Sequence, residues 1–151
     1  MSDIDIREIA DCTCAGLRRT TRRITQLYDH ALAPVGLTAN QFSLLSYLYG
    51  AEMMKAGGLS IKTLADRLGM DPSTLTRNLK PLASKGLVAD RADPDDGRAR
   101  LVMITALGRS KLEAAVPHWR RAQSALNEKL GGDAAKKLRN LLDAAFATVE
   151  T

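Results

Sequence analysis

The chain has 151 residues, 45% of them apolar and 4% aromatic, with a formal net charge of +5 and a pI near 9.5. This length buries a core without covalent staples, and an Ala- and Leu-rich, aromatic-poor composition favours packed helices over a β-sandwich. Cys12 and Cys14 are the only cysteines, too few for a disulfide framework and wrongly spaced for a four-ligand zinc site, so a reducing compartment and no metal or other cofactor are expected.

The basic balance suits a polyanionic partner, although it serves simple solubility equally well. Met1-Ser2-Asp3-Ile4-Asp5 carries acid where a secretory signal carries Lys or Arg, and no apolar run follows, which predicts a cytoplasmic protein. The uncharged stretch 31–51 is broken up by Pro34, Gly36, Thr38, Asn40 and Gln41. It reads as a turn and a buried helix, not a membrane span.

In chain order, Ile6, Ala10, Leu17, Ile24, Tyr28 and Ala31 share a narrow arc at about 100° per residue, with Arg18, Arg19, Arg22 and Arg23 outside it, so one long amphipathic helix is expected over 6–32. Pro34 and Gly36 end it. Thr38-Ala39-Asn40-Gln41 has the capping-box form and opens a second helix over 39–54. After Gly57-Gly58, Ser60 caps a short helix through Leu68 with Ile61, Leu64, Ala65 and Leu68 inward, and Gly69 stops it. Asp71 at the N-cap and Pro72 at the first helical position start another helix running to Lys85, with Gly86 beyond it. The intervening turn is about three residues long, as a helix-turn-helix requires.

Residues 87–91 and 100–104 are β-prone and flank a loop rich in Asp, Pro and Gly, which predicts a hairpin with a charged tip. Thr105 caps a helix over 106–130 in which Pro117 is expected to cause a kink, and Asp133 is expected to cap a last helix to Val149. The fold class is therefore mainly α with a small β-hairpin wing. It is a single unit in which a winged helix-turn-helix, 38–105, lies between terminal dimerisation helices, 1–37 and 106–151.

The second helix of such a pair enters the major groove with its N-terminal residues at the base edges. Here those are Ser73, Thr74, Thr76 and Arg77. Hydroxyls meet base edges or phosphates, Arg77 suits guanine or a phosphate, and Lys80 and Lys85 suit the backbone, while Leu75, Leu79 and Leu82 face inward. Taken singly, each residue has a plainer reading: Ser73 and Thr74 support the cap, and Arg77 is a solvated surface charge. The capped pair followed by a hairpin favours double-stranded DNA as partner.

Leu37-Thr38 with Gln41-Phe42, then Leu64-Ala65, Leu75-Thr76-Arg77, Leu82, Gly86-Leu87-Val88, Asp96-Gly97-Arg98 and Ile104-Thr105 with Gly108 resemble the signature of the MarR family in its usual order. The resemblance implies a transcription regulator, repressing by default, that is an obligate homodimer through its terminal helices. It also implies a wing whose Arg98 enters the minor groove and whose Asp96 holds the wing's shape. Position 97, often basic in such wings, is Gly here, which leaves fewer contacts. Independently, a narrow minor groove concentrates negative potential that attracts an Arg at a hairpin tip, although a solubilising charge is the plainer role for Arg98.

The terminal helices also present Leu107, Leu112, Ala115, Val116, Trp119, Leu126, Leu138, Leu141, Leu142 and Phe146, which suggest a subunit interface. A two-fold dimer reads two halves of a palindrome about 34 Å apart. Only His30 and His118 are present, with no nucleophile elbow, phosphate loop or HExxH, so no enzyme is expected. His118 and Trp119 are candidates for lining a ligand cavity, against the commoner pairing of an interfacial Trp with a surface His.

Cys14 lies at the margin of the apolar arc on the side of Tyr28, and Arg18 at i+4 favours its thiolate. Cys12 points nearly opposite, which excludes a disulfide between them. Cys14 followed by Arg22, Thr25 and Tyr28 is similar to the organic-hydroperoxide regulators of the MarR family, in which that Cys is oxidised and that Tyr bonds to it. Ala39 and Arg18 stand where those proteins carry a second Tyr and an aromatic residue. Three roles stay open: release by a small organic effector, thiol-based redox regulation through Cys14, and a purely structural Cys14. A winged-helix protein-interaction module is the reading from another class.

Overall fold

The computed structural model describes residues 4–149. The expected single N-terminal helix is two, α1 (Ile6–Ala10) and α2 (Thr13–Leu32). Cys12 adopts extended backbone between them and makes no side-chain cap bond. Asp11, Cys12 and Thr13 all have weak helix propensity, and no residue of α1 is buried, so no packing holds the helix through this point. A 3-10 turn, Ala33–Val35, follows α2. It leads to α3 (Ala39–Met53), where the amide of Gln41 donates to Thr38 Oγ1 at 3.2 Å and the amide of Thr38 to Gln41 Oε1 at 3.1 Å. The Asp29 carboxylate accepts from the Ala39 amide at 2.7 Å and so binds the end of α2 to the start of α3.

A strand absent from the sequence reading, β1 (Leu59–Ser60), precedes α4 (Ile61–Leu68) and α5 (Pro72–Ser84). With β2 (Val88–Ala92) and β3 (Arg100–Ile104) it makes a three-stranded antiparallel sheet in the order β1-β3-β2. Leu59 pairs with Val102, Val88 with Ile104 and Ala92 with Arg100. A two-residue strand carries no alternation of its own; only its long-range partner makes it one.

α6 (Ala106–Leu130) is uninterrupted and includes Pro117, the position at which a kink was expected. Pro117 is exposed, so the carbonyl it leaves unbonded lies on the solvent side and water satisfies it. α7 (Gly132–Thr148) is capped by Gly131, not Asp133. Asp133 instead sits in the first turn, where its charge opposes the positive end of the helix dipole. No helix among the described residues is long and apolar enough to cross a membrane.

The core joins Leu32 of α2, Leu44, Leu45 and Leu48 of α3, Leu64 of α4, Leu75 and Leu82 of α5, Leu87 and Val102. Two residues expected at a subunit interface, Leu112 and Ala115, belong to this core, with 6% and 0% of their surface exposed. Trp119 packs partly against it. Their helical stripe meets α3 of the same chain. The large apolar residues left exposed include Leu107, Leu141, Leu142 and Phe146, together with Ile4, Ile6, Ile9 and Leu17 near the other terminus.

The base of the sheet meets α6 at Gly108, where an added Cβ would stand 2.1 Å from the Leu87 carbonyl oxygen and 2.7 Å from Ile104 Cγ1. Gly108→Ala is expected to cost about 1–3 kcal/mol by overpacking. Gly50→Ala, at an α3 position with nothing within 4 Å of an added Cβ, is expected to gain about 0.5–1 kcal/mol from helix propensity alone. Urea denaturation of the two variants checks both signs; equal effects would refute the close approach at Gly108.

Candidate nucleic-acid interface and adjoining cavity

Gly69, in the left-handed region at φ +62, ends α4, and Met70 alone separates it from Asp71, the N-cap of α5. Leu75, Leu79 and Leu82 are buried, which fixes the roll of α5 and leaves Ser73, Thr76, Arg77 and Lys80 exposed on the opposite face, with Thr74 half-buried at its edge. Lys85 is the exposed C-cap, and Gly86 follows at φ +68.

The Asp71 carboxylate accepts from the Thr74 amide at 2.9 Å and from the hydroxyls of Ser73 and Thr74. Those bonds, the Ser73 hydroxyl first and then Thr74, hold its carboxyl well below the usual carboxylate range. Thr76 donates to the Pro72 carbonyl at 2.9 Å. A hydroxyl has one proton, so each of the three has only acceptor capacity left. Arg77, which donates to Thr74 Oγ1 at 3.2 Å, keeps spare donors for a guanine edge or a phosphate. Pro81 lies inside α5, a feature the sequence reading passed over. Its missing N–H frees the Arg77 carbonyl on the exposed face.

The hairpin tip is built by backbone and carboxylate. Asp93 Oδ1 accepts from the Asp95 amide at 2.9 Å and Asp96 Oδ1 from the Arg98 amide at 3.1 Å, while the Ala99 amide donates to the Asp96 carbonyl at 2.9 Å. Arg98 is exposed. Thr105 caps α6 by accepting from the Gly108 amide at 3.0 Å and donates to the Gly86 carbonyl at 2.6 Å, which joins wing, α5 and α6 at one residue.

Behind this face, α2, α3 and α6 border an open cavity of about 500 Å³ lined by Tyr28, Phe42, Ser43, Ser46, Trp119 and Arg120, among others. Phe42 and Trp119 stack at 6.0 Å between centroids, 15° from parallel. The Tyr28 phenol donates to Gln123 Oε1 at 2.8 Å, and burial raises its pKa. The fold thus brings Tyr28 and Trp119 together. His118 faces Arg121 instead, its Nδ1 2.8 Å from the guanidinium. Cys14 is exposed and fourteen positions before Tyr28 on the same helix, about 21 Å along its axis, so within one chain the phenol does not reach the thiol. Ser43, Ser46 and Arg120 were not singled out in the sequence, and Phe42 entered beside Gln41 in the family resemblance without a role in a cavity. Their helices read as buried or basic faces, and only packing shows the space between them.

Residues 35–99 match the model of the MarR family. The HTH-type transcriptional regulator YdgJ of Bacillus subtilis is 32% identical over 111 residues, 74% of this chain and 63% of that protein, so the chain spans under two thirds of this relative. The organic hydroperoxide resistance transcriptional regulator of Bacillus subtilis is 28% identical over 112 residues, 74% of this chain and 73% of that protein. Among solved structures, the transcriptional regulator MosR of M. tuberculosis in complex with DNA superposes with a TM-score of 0.76 at 36% identity, covering 93% of this chain and 100% of that one.

A carboxyl with a depressed folded-state pKa stabilises the fold above its unfolded pKa of about 3.9 and loses that contribution as pH falls through the folded value. Asp71→Asn is therefore expected to lower Tm at pH 6 and to close much of that gap with wild type on acidification below pH 4. A gap in Tm that stays constant down to pH 2.5 would show that the carboxylate charge is not what the Ser73 and Thr74 hydroxyls stabilise.

Proposed function

The chain belongs to the MarR family, and from that premise we propose that it is a homodimeric, sequence-specific DNA-binding transcription regulator, a repressor released by a small organic effector. The observation that carries this reading is the exposed row Ser73, Thr76, Arg77 and Lys80, held on α5 by the buried Leu75, Leu79 and Leu82. The kinship with MosR, solved on DNA, supports it. In the bound state the start of α5 lies in the major groove, Arg77 reads a base or clamps a phosphate, Lys80 and Lys85 contact the backbone, and Arg98 enters the minor groove. Asp96 serves by holding the loop that presents Arg98. The exposed apolar residues of α1, α2 and α7 form the dimer contact, which sets two half-sites about 34 Å apart on a palindrome.

The effector occupies the cavity between Tyr28, Phe42 and Trp119, where terminal helices meet the winged region. Its walls are mostly apolar, which selects an organic molecule with an aromatic or aliphatic body.

Loss of phosphate contacts with salt makes the first test. Affinity for the operator is expected to fall about 10³- to 10⁵-fold between 50 and 200 mM salt. In the same titration Arg77→Ala is expected to reduce the preference for operator over random DNA by about 1–3 kcal/mol, while Lys80→Ala weakens both alike. A flat salt dependence would favour a protein-interaction module.

A second reading, redox control through Cys14, rests on the exposed thiol and the kinship with the hydroperoxide regulator. With Ala39 in place of a second Tyr, cumene hydroperoxide is expected to leave operator binding unchanged in wild type and in Cys14→Ser. Rapid release from wild type, abolished by Cys14→Ser and retained in Cys12→Ser, would establish the redox reading instead.

A further inference from the structure

The groove between α3 and α6 holds a second hollow beside the cavity already described. The two helices run antiparallel, with Glu52 Oε1 accepting from Arg109 Nη1 at 2.6 Å at one end and Phe42 stacked on Trp119 at the other. Near the Arg109 end lies a hollow of about 310 Å³ walled by Tyr49, Arg109, Leu112 and Glu113. Phe42, Ser46 and Val116 line both hollows. Ser46 is small, and its hydroxyl folds back to donate to the Phe42 carbonyl at 2.8 Å, which keeps the floor low where the two meet. Arg109 and Arg120 stand eleven positions apart on α6, about 16 Å along its axis. The two ends differ in charge. Among the described residues Arg120 makes no ion pair, and no carboxylate shares its wall of the first cavity. At the other end Arg109 is already paired with Glu52, and the Glu113 carboxylate is added.

From the shared walls and the unequal charge of the two ends we propose that the hollows form one trough whose ligand is an elongated amphipathic anion. Its carboxylate head sits at Arg120, and an unbranched apolar chain reaches Tyr49. The proposal names the class of effector for the cavity discussed above and rests on that reading for the cavity's role. The Arg120 guanidinium is free to pair with the head, and the half-buried Ser43 hydroxyl, which makes no hydrogen bond among the described residues, supplies a further donor. The Tyr28 phenol adds none, because Gln123 Oε1 holds its proton. The chain then passes Ser46 and Val116 to Leu112 and the Tyr49 ring, and each methylene laid there leaves water. A second negative charge at the far end would meet Glu113, so the trough selects against a dicarboxylate. A compact aromatic acid fills one hollow and leaves the other wet.

Trp119 is the only tryptophan of the chain and lines the trough, so its fluorescence reports binding without DNA. The full chain is titrated with butyrate, octanoate and dodecanoate, each below its micelle threshold, and calorimetry gives the stoichiometry. One molecule per chain is expected, with affinity rising about two- to fourfold for each added methylene up to dodecanoate. Arg120→Gln is expected to weaken dodecanoate about tenfold or more and to leave dodecanol unaffected, while dodecanedioate binds wild type less tightly than dodecanoate. Ser46→Phe, which fills the junction, is expected to make octanoate and dodecanoate bind alike. If Ser46→Phe does not fold, Val116→Trp narrows the junction from the other helix and must give the same result, or the single trough is refuted. A wild-type affinity that stops rising at octanoate, or benzoate binding more tightly than dodecanoate, would overturn the proposal. So would an equal loss of dodecanol in Arg120→Gln, or several molecules bound per chain, which would mean adsorption on exposed apolar surface. Absence of any binding would show that a helix of the partner fills the trough, and the proposal falls. Failure to bind any operator would sink the regulator reading instead, and these affinities do not depend on that outcome.

Discussion

The orientation of α5 depends on burying three leucines at once. Leu75, Leu79 and Leu82 join the same core as Leu45, Leu48 and Leu64, and each fully buried leucine contributes about 1.5–3 kcal/mol. A roll of one residue turns the helix by about 100° and would expose all three, so the helix has one orientation. Everything on its other face follows. Ser73, Thr76, Arg77 and Lys80 form a row because the leucines hold the opposite side, and Arg77 keeps free donors because Thr74 Oγ1 engages one of its five N–H groups.

The second constraint is the junction at Thr105 and Gly108. Thr105 bonds both to the Gly86 carbonyl and to the start of α6, and the absence of a Cβ at Gly108 lets α6 approach the Leu87 carbonyl. The end of α5, the sheet and the first turn of α6 thereby become one body. α6 carries that geometry outward to Leu112 and Ala115 in the core and to Val116, Trp119 and Arg120, which form one wall of the cavity. The cavity thus lies on the path between the exposed row of α5 and the exposed apolar residues of the terminal helices.

Much of this was legible in the chain, and for a shared reason. The capping box at Thr38 and Gln41, the caps at Ser60, Asp71 and Thr105, the stops at Gly69 and Gly86, and Pro72 at a first helical position are contacts between residues three or four apart, or preferences of one residue's φ. Such signals exist in the sequence before any folding, and they place α3, α4, α5 and the hairpin within a residue or two. The inward leucines of α5 follow from periodicity in the same way, and with them its outward row.

What the tertiary structure alone decided involves partners far apart in the chain. The break between α1 and α2 falls at Asp11 and Cys12, although the apolar positions on either side of it share one helical arc. β1 exists because Val102, more than forty residues later, pairs with Leu59. Leu112 and Ala115 look like the rest of an apolar stripe, and only the approach of α3 separates them from Leu141 and Phe146, which stay exposed. Tyr28 and Trp119 share a cavity, while Cys14 and His118 do not, since side chains converge according to how helices cross. Periodicity within one helix states which face turns inward and is silent on what that face will meet.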